Sequence, residues 1–125
     1  ADTEAVSAQD YFAQSRLSRE KARDEAISIL KDTLGDEATD EKGKELASTQ
    51  ISQLAEDSVT EARIESLIKA KGYSEAVVFL GSDSVNVIVA PPQAGFTETD
   101  ASKIRDIVVA ETSLSASQIK IVEAG

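Results

Sequence analysis

The sequence predicts an α+β fold. An α-β-β-α-β unit over residues 58–125, with two helices on one face of a three-stranded sheet, follows a long N-terminal helix. Three observations predict it. Two short β-branched runs, residues 76–80 (AVVFL) and 85–90 (VNVIVA), flank a Gly-Ser-Asp-Ser turn short enough for a hairpin. Stretches with helical spacing of apolar residues lie on both sides of that pair. A last apolar run, SQIKIVE, closes the chain as a third strand after the final helical stretch.

Residues 1–9 are small and polar and are expected to fray. From residue 10 to about 31 the chain lacks Gly and Pro and is rich in good helix formers. Its apolar positions cluster at the ends, with Tyr11, Phe12 and Leu17 at one and Ile27, Ile29 and Leu30 at the other. The polar middle carries Arg16/Glu20 and Lys21/Glu25 pairs one turn apart. That pattern suits a helix that projects and docks mainly at its tips.

Gly35 breaks this helix, and GDEATDEKGKE reads as a charged connector. Helical spacing resumes at Leu46, Ile51 and Leu54, then rotates near Ser58, where Ser58 and Glu61 fit a capping box. Either one kinked helix or two helices meeting there is expected. The reading places a helical region at 10–57 and the sheet unit at 58–125. Gly72 follows Lys69 and Lys71 as a C-terminal cap. Pro91 and Pro92 end pairing after the hairpin, since proline donates no ladder hydrogen bond. A helix then begins near Thr97 or Thr99, with the stripe Ala101, Ile104, Ile107, Val108.

The hairpin makes the first two strands neighbours, and the helix before the third allows a parallel crossover. Residues 76–80 are apolar on both parities, as a central strand would be; the order is then two-one-three, with edges at 85–90 and 119–122. Residues Ala76, Val78 and Leu80 face opposite to Val77 and Phe79, so one row faces away from the two helices and is covered either by the first long helix or by a partner.

Composition excludes several function classes. At 125 residues and 41% apolar, the chain suits one aliphatic-cored domain, with three Phe, two Tyr and no Trp. A net charge of −10 argues against nucleic acid and against anionic lipid, and favours a basic or neutral partner surface. No cysteine or histidine is present, which removes disulfides, thiolate zinc sites and the Ser-His-Asp or Cys-His arrangements. The carboxylates lie on charged faces and turns and read as solvated surface. DTLGDEATDEKG has the acidity of a calcium loop without its ligand grammar: Ala38, Glu41 and Ala47 stand where a ligand, the glycine and the last ligand belong. GYSE lacks the second glycine of a KH-type phosphate clamp. No cofactor is expected, and no enzyme. No run reaches the roughly 18 apolar residues of a membrane span. The chain starts at Ala1 without a methionine, which fits a processed signal, a removed anchor or a trimmed chain.

Surface therefore carries the candidate site. Tyr73, after the capping glycine, is either a lid on the core or an interface anchor. The expected edges contribute Val85, Val87 and Val89 on one side and Ile119, Lys120 and Ile121 on the other, as partner-binding positions for strand addition. Lys120 also fits as a guard against unwanted pairing.

DYFAQSRLSREKARDEAISILK, RIESLIKAKGYSEAVVFLGSDSVNVIVA and ASKIRDIVVAET together resemble the extracellular region of the stage III sporulation protein AH (SpoIIIAH) family, over roughly residues 10–123. The stretch LIKAKGYSEAVV is the most telling piece. The resemblance implies the ring-building-motif fold of YscJ/FliF-type ring proteins and a role in endospore formation. It implies a mother-cell membrane protein whose soluble part faces the forespore, binds the forespore protein SpoIIQ, and forms rings of a channel. The N-terminal membrane helix usual in the family is missing from these residues. A small-molecule or regulatory binding module on a similar α+β sheet is the alternative.

Overall fold

The computed structural model describes residues 8–124. Helix α1 (Ala8–Gly35) and helix α2 (Glu41–Ala70) form an antiparallel hairpin, followed by β1 (Ala76–Leu80), β2 (Val85–Val89), α3 (Glu98–Glu111) and, after a 3₁₀ turn, β3 (Ile119–Glu123). The predicted elements are all present. Most of the segment expected to fray, residues 1–7, lies outside the described residues, and α1 starts at Ala8, slightly before the predicted Asp10.

Local chemistry explains the boundaries. Asp40 caps α2 by accepting from the Gly43 amide, so the charged connector is shorter than expected and Gly43 lies in the first helical turn. α2 then runs unbroken through residues 57 and 58. The Ser58/Glu61 pair is therefore not a capping box: an uninterrupted ladder leaves no free amides there to cap. Gly72 ends the helix at φ +110°, a conformation that costs an L side chain and suits glycine. Thr97 and Asp100 cap α3 reciprocally, as the spacing predicts for a helix starting near Thr97.

The sheet order is β1-β2-β3, with β1 antiparallel and β3 parallel to a central β2. This corrects the expected two-one-three order. A hairpin fixes only that β1 and β2 are neighbours; the crossover helix α3 brings β3 to the far side of β2.

On one face Ala76, Val78, Val85, Val87 and Val89 pack against Ile64 and Ile68 of α2, Ile104 and Val108 of α3, and Tyr73. Full burial of each such aliphatic side chain contributes roughly 1.5–3 kcal/mol. The other face is covered at one end only, where Phe12 of α1 meets Val77 and Ala90. The first long helix thus covers part of the second row. Phe79 and Ile88 are half-buried, while Asn86, Lys120 and Val122, the last 42% exposed, remain uncovered.

Candidate interaction surface: one closed edge and one open edge

The two edges of the sheet differ in kind. Because β1 turns the odd-numbered residues 77 and 79 toward β2, the amides and carbonyls of Ala76, Val78 and Leu80 point outward. Side chains meet four of these six groups. Glu65 accepts from the Val78 amide at 2.9 Å, and Glu61 accepts from the Leu80 amide at 2.8 Å. Arg19 donates to the Val78 carbonyl at 2.6 Å, and Arg16 donates to that of Ala76. Four charged side chains from two helices thus stand where a fourth strand's backbone would stand.

The same groups neutralise one another. Arg19 donates to Glu65 at 2.6 Å, Arg16 to Glu75 at 2.8 Å and to Glu65 at 3.3 Å, and Arg23 grips Glu61 with both guanidinium nitrogens while also donating to Ser58. Arg19 Nε lies 3.3 Å from Glu61 Oε1, an ion-pair contact without hydrogen-bond geometry. Glu61 is wholly buried and Glu65 nearly so. The hydrogen bond to Glu61 holds the Arg23 pKa above its ordinary value against the cost of burial. At Arg16 burial opposes the charge, and the bonds and charges of Glu75 and Glu65 outweigh it, so its pKa is raised too.

Sequence reasoning missed this clasp. It read the carboxylates as solvated surface, paired Arg16 with Glu20 and had α1 dock at its tips; the structure sets Arg16 against Glu65 and Glu75 and docks α1 through its polar middle. The signal was present as two matching stripes. Arg16, Arg19 and Arg23 recur at three and four residues, and Glu61 and Glu65 at four, beside the buried Ile64 and Ile68.

The other edge is β3. The Ala124 amide bonds to the Val89 carbonyl, which fixes the alternation: Lys120 and Val122 turn their backbone toward β2, while Ile119, Ile121 and Glu123 turn theirs outward. Among the described residues no side chain bonds to those outward groups. Ile119 and Ile121 are half-buried with their side chains against the core, and Lys120 is exposed on the uncovered face.

The remaining predicted positions lie elsewhere. Val85, Val87 and Val89 are fully buried on the central strand and offer a partner no surface, which corrects their expected edge position. Tyr73 is 6% exposed and serves as the core lid of the two readings. Its hydroxyl donates to Asp100 and so ties the start of the hairpin to the cap of α3. Burial first, and then the Asp100 carboxylate, push the Tyr73 phenol up to about 12. The Tyr73 bond, with that from the Thr97 amide, holds Asp100 below the usual carboxylate range.

An α-β-β-α-β unit of this topology, with helices on one face and a free strand edge, is the ring-building fold. The comparisons with known proteins agree. Residues 1–121 match the profile of the SpoIIIAH-like protein family, and the chain belongs to that family. Stage III sporulation protein AH of Bacillus subtilis (strain 168) is 30% identical over 102 residues, covering 82% of this chain and 46% of the relative; the chain thus spans about half the length of that protein. A chain in the solved structure of the SpoIIQ-SpoIIIAH pore forming complex superposes with a TM-score of 0.76 at 24% identity, covering 92% of this chain and 99% of that one. EscJ, a type III secretion system protein of enteropathogenic E. coli, superposes with a TM-score of 0.54 at 19% identity, over 60% of this chain and 50% of EscJ. These two likenesses are of fold. No described helix is long and apolar enough to cross a membrane.

Proposed function

We propose that the chain is a non-enzymatic assembly domain of a sporulation channel, binding a SpoIIQ-type forespore protein across the intermembrane space and associating into a ring. The observation that carries this reading is the asymmetry of the sheet. One edge is closed by charged side chains, and the other, β3, leaves the outward backbone groups of Ile121 and Glu123 without a partner among the described residues, next to an uncovered face at Asn86, Lys120 and Val122. Family membership and the likeness to a chain solved in a SpoIIQ-SpoIIIAH complex support the choice of partner. The domain works from the mother-cell membrane, held there by an anchor in the longer protein.

The asymmetry constrains how a ring is built. A head-to-tail ring needs two different patches that meet and close by rotation. Joining β3 of one copy to β1 of the next would give a continuous sheet, but the Arg–Glu clasp occupies the β1 edge. Pairing β3 with β3 of a second copy would be two-fold and would end at a dimer. The β3 edge is therefore left to a different chain, and ring contacts run through helical faces.

Titration calorimetry of the domain with the SpoIIQ ectodomain of the same organism tests the reading. Saturable binding is expected, weakened about tenfold or more by Lys120→Glu. Absence of binding overturns the partner, and binding indifferent to Lys120→Glu overturns the surface.

A further inference from the structure

A groove of about 830 Å³ opens at the root of the helical hairpin, with no residue of β3 in its lining. Its walls come from the C-terminal half of α1, the middle of α2, the β1–β2 turn and the loop after α3. Ile29, Leu54, Leu80 and Leu114 give it an apolar floor, and Ile29 is 63% exposed, far more than an aliphatic side chain in a packed helical hairpin. The rim carries Glu56, Asp57 and Glu111, and no lysine or arginine lines it.

The charge of the whole arm has the same sign. Residues 23–63 contain eleven Asp and Glu against five Lys and Arg, a net −6 out of the −10 of the chain. The arm that carries the groove is thus net acidic, as is the groove's own rim. A field of one sign over an apolar cleft raises the encounter rate and affinity for an oppositely charged ligand and disfavours acidic ones. The walls, drawn from two neighbouring helices over an apolar floor, suit a chain segment laying down an apolar stripe.

We propose that this groove is a second docking site, taking a basic amphipathic helix of a partner protein: leucine-like side chains on the floor, with lysine or arginine facing Glu56, Asp57 and Glu111. Glu56 is the group most available to such a cation, because Asp57 accepts from Gln53 and Glu111 pairs with Arg63. The site is independent of the β3 edge. One domain could then hold two partners at once, or one partner at two points, which multiplies affinities through effective concentration.

The test uses a model peptide of about 14 residues, four turns of helix, made of leucine and lysine with the leucines on one face, and its leucine–glutamate counterpart as control. It is titrated into the ¹⁵N-labelled domain at two salt concentrations. Saturable binding by the lysine peptide is expected, with shifts at Leu54, Leu80–Ser82 and Thr112–Leu114, weaker at high salt. Glu56→Lys and Ile29→Lys, both at exposed positions, reduce affinity about tenfold or more, and Lys120→Glu leaves it unchanged. Shifts scattered over the acidic arm without saturation, or binding indifferent to Ile29→Lys, overturn the proposal. So does equal binding of the groove by a small apolar cation such as dodecyltrimethylammonium, which would make it a small-molecule site. Loss of the groove to concentration-dependent self-association would assign it to a second copy and overturn the proposal as well.

Discussion

The β1 and β3 edges belong to one sheet of three short strands, yet they solve the edge problem in opposite ways. At β1 the outward carbonyls of Ala76 and Val78 and the outward amides of Val78 and Leu80 bond to charged side chains from α1 or α2. At β3 the outward groups of Ile119, Ile121 and Glu123 meet no side chain among the described residues. An unpaired edge is a template for another chain, and proteins that expose one usually guard it. Here the guarding is concentrated on one side. The difference teaches that the sheet has a direction: one edge is committed to the fold, and the other keeps outward groups that no described side chain takes up.

The largest expected effect comes from opening the closed edge. Glu61→Leu leaves the Arg23 guanidinium facing an apolar side chain and strips the Leu80 amide of its acceptor. Removing one partner of a buried pair costs about 3–5 kcal/mol, to be read as a fall in the urea midpoint at unchanged m-value. A loss below about 1 kcal/mol would mean that water replaces the carboxylate and that the edge is not sealed. Arg16→Met is milder, because that side chain is partly exposed and the Arg19–Glu65 bond remains. About 1–3 kcal/mol is expected from the stranded Ala76 carbonyl and the lost charged bonds. The same variant also separates a merely structural clasp from an edge guard. If the clasp blocks strand addition, sedimentation velocity of Arg16→Met shows concentration-dependent association beyond that of the wild type.

The elements of this fold were legible in the sequence, and the lateral order of the strands was not. Alternation in residues 85–90 and the two-sided apolar run in 76–80 report which faces are covered. Neither reports whether a strand has one neighbour or two. β1 reads as central because Phe12 covers Val77 on one face and the α2 helix covers Val78 on the other, while its edge is closed by polar groups that leave no apolar trace. With β1 taken as central, residues 85–90 fall to an edge, although β2 is hydrogen-bonded on both sides. The clasp stayed hidden for a related reason. Its arginines and glutamates lie 38 to 59 residues apart, so charge pairing sought within one helix could not find them. Ile119, Lys120 and Ile121 were placed at an edge correctly because the last strand follows a crossover and has nowhere to go but outward.

The smallest effect on stability, and the sharpest on association, belongs to the open edge. Glu123 is exposed at the end of β3 with its amide turned away from β2, so Glu123→Pro removes an outward donor without removing a ladder bond. The preceding residue, Val122, already lies in the extended region that a following proline demands. Stability should move by no more than about 1 kcal/mol. If the partner adds as a strand, its binding falls about tenfold or more, since backbone hydrogen bonds carry such complexes. If the partner instead packs on the uncovered face, Glu123→Pro binds as the wild type does and only Lys120→Glu weakens it. The two variants therefore divide the open side of the sheet into edge and face. Only a loss with the proline would make the closed β1 edge and the open β3 edge alternatives for the same kind of contact.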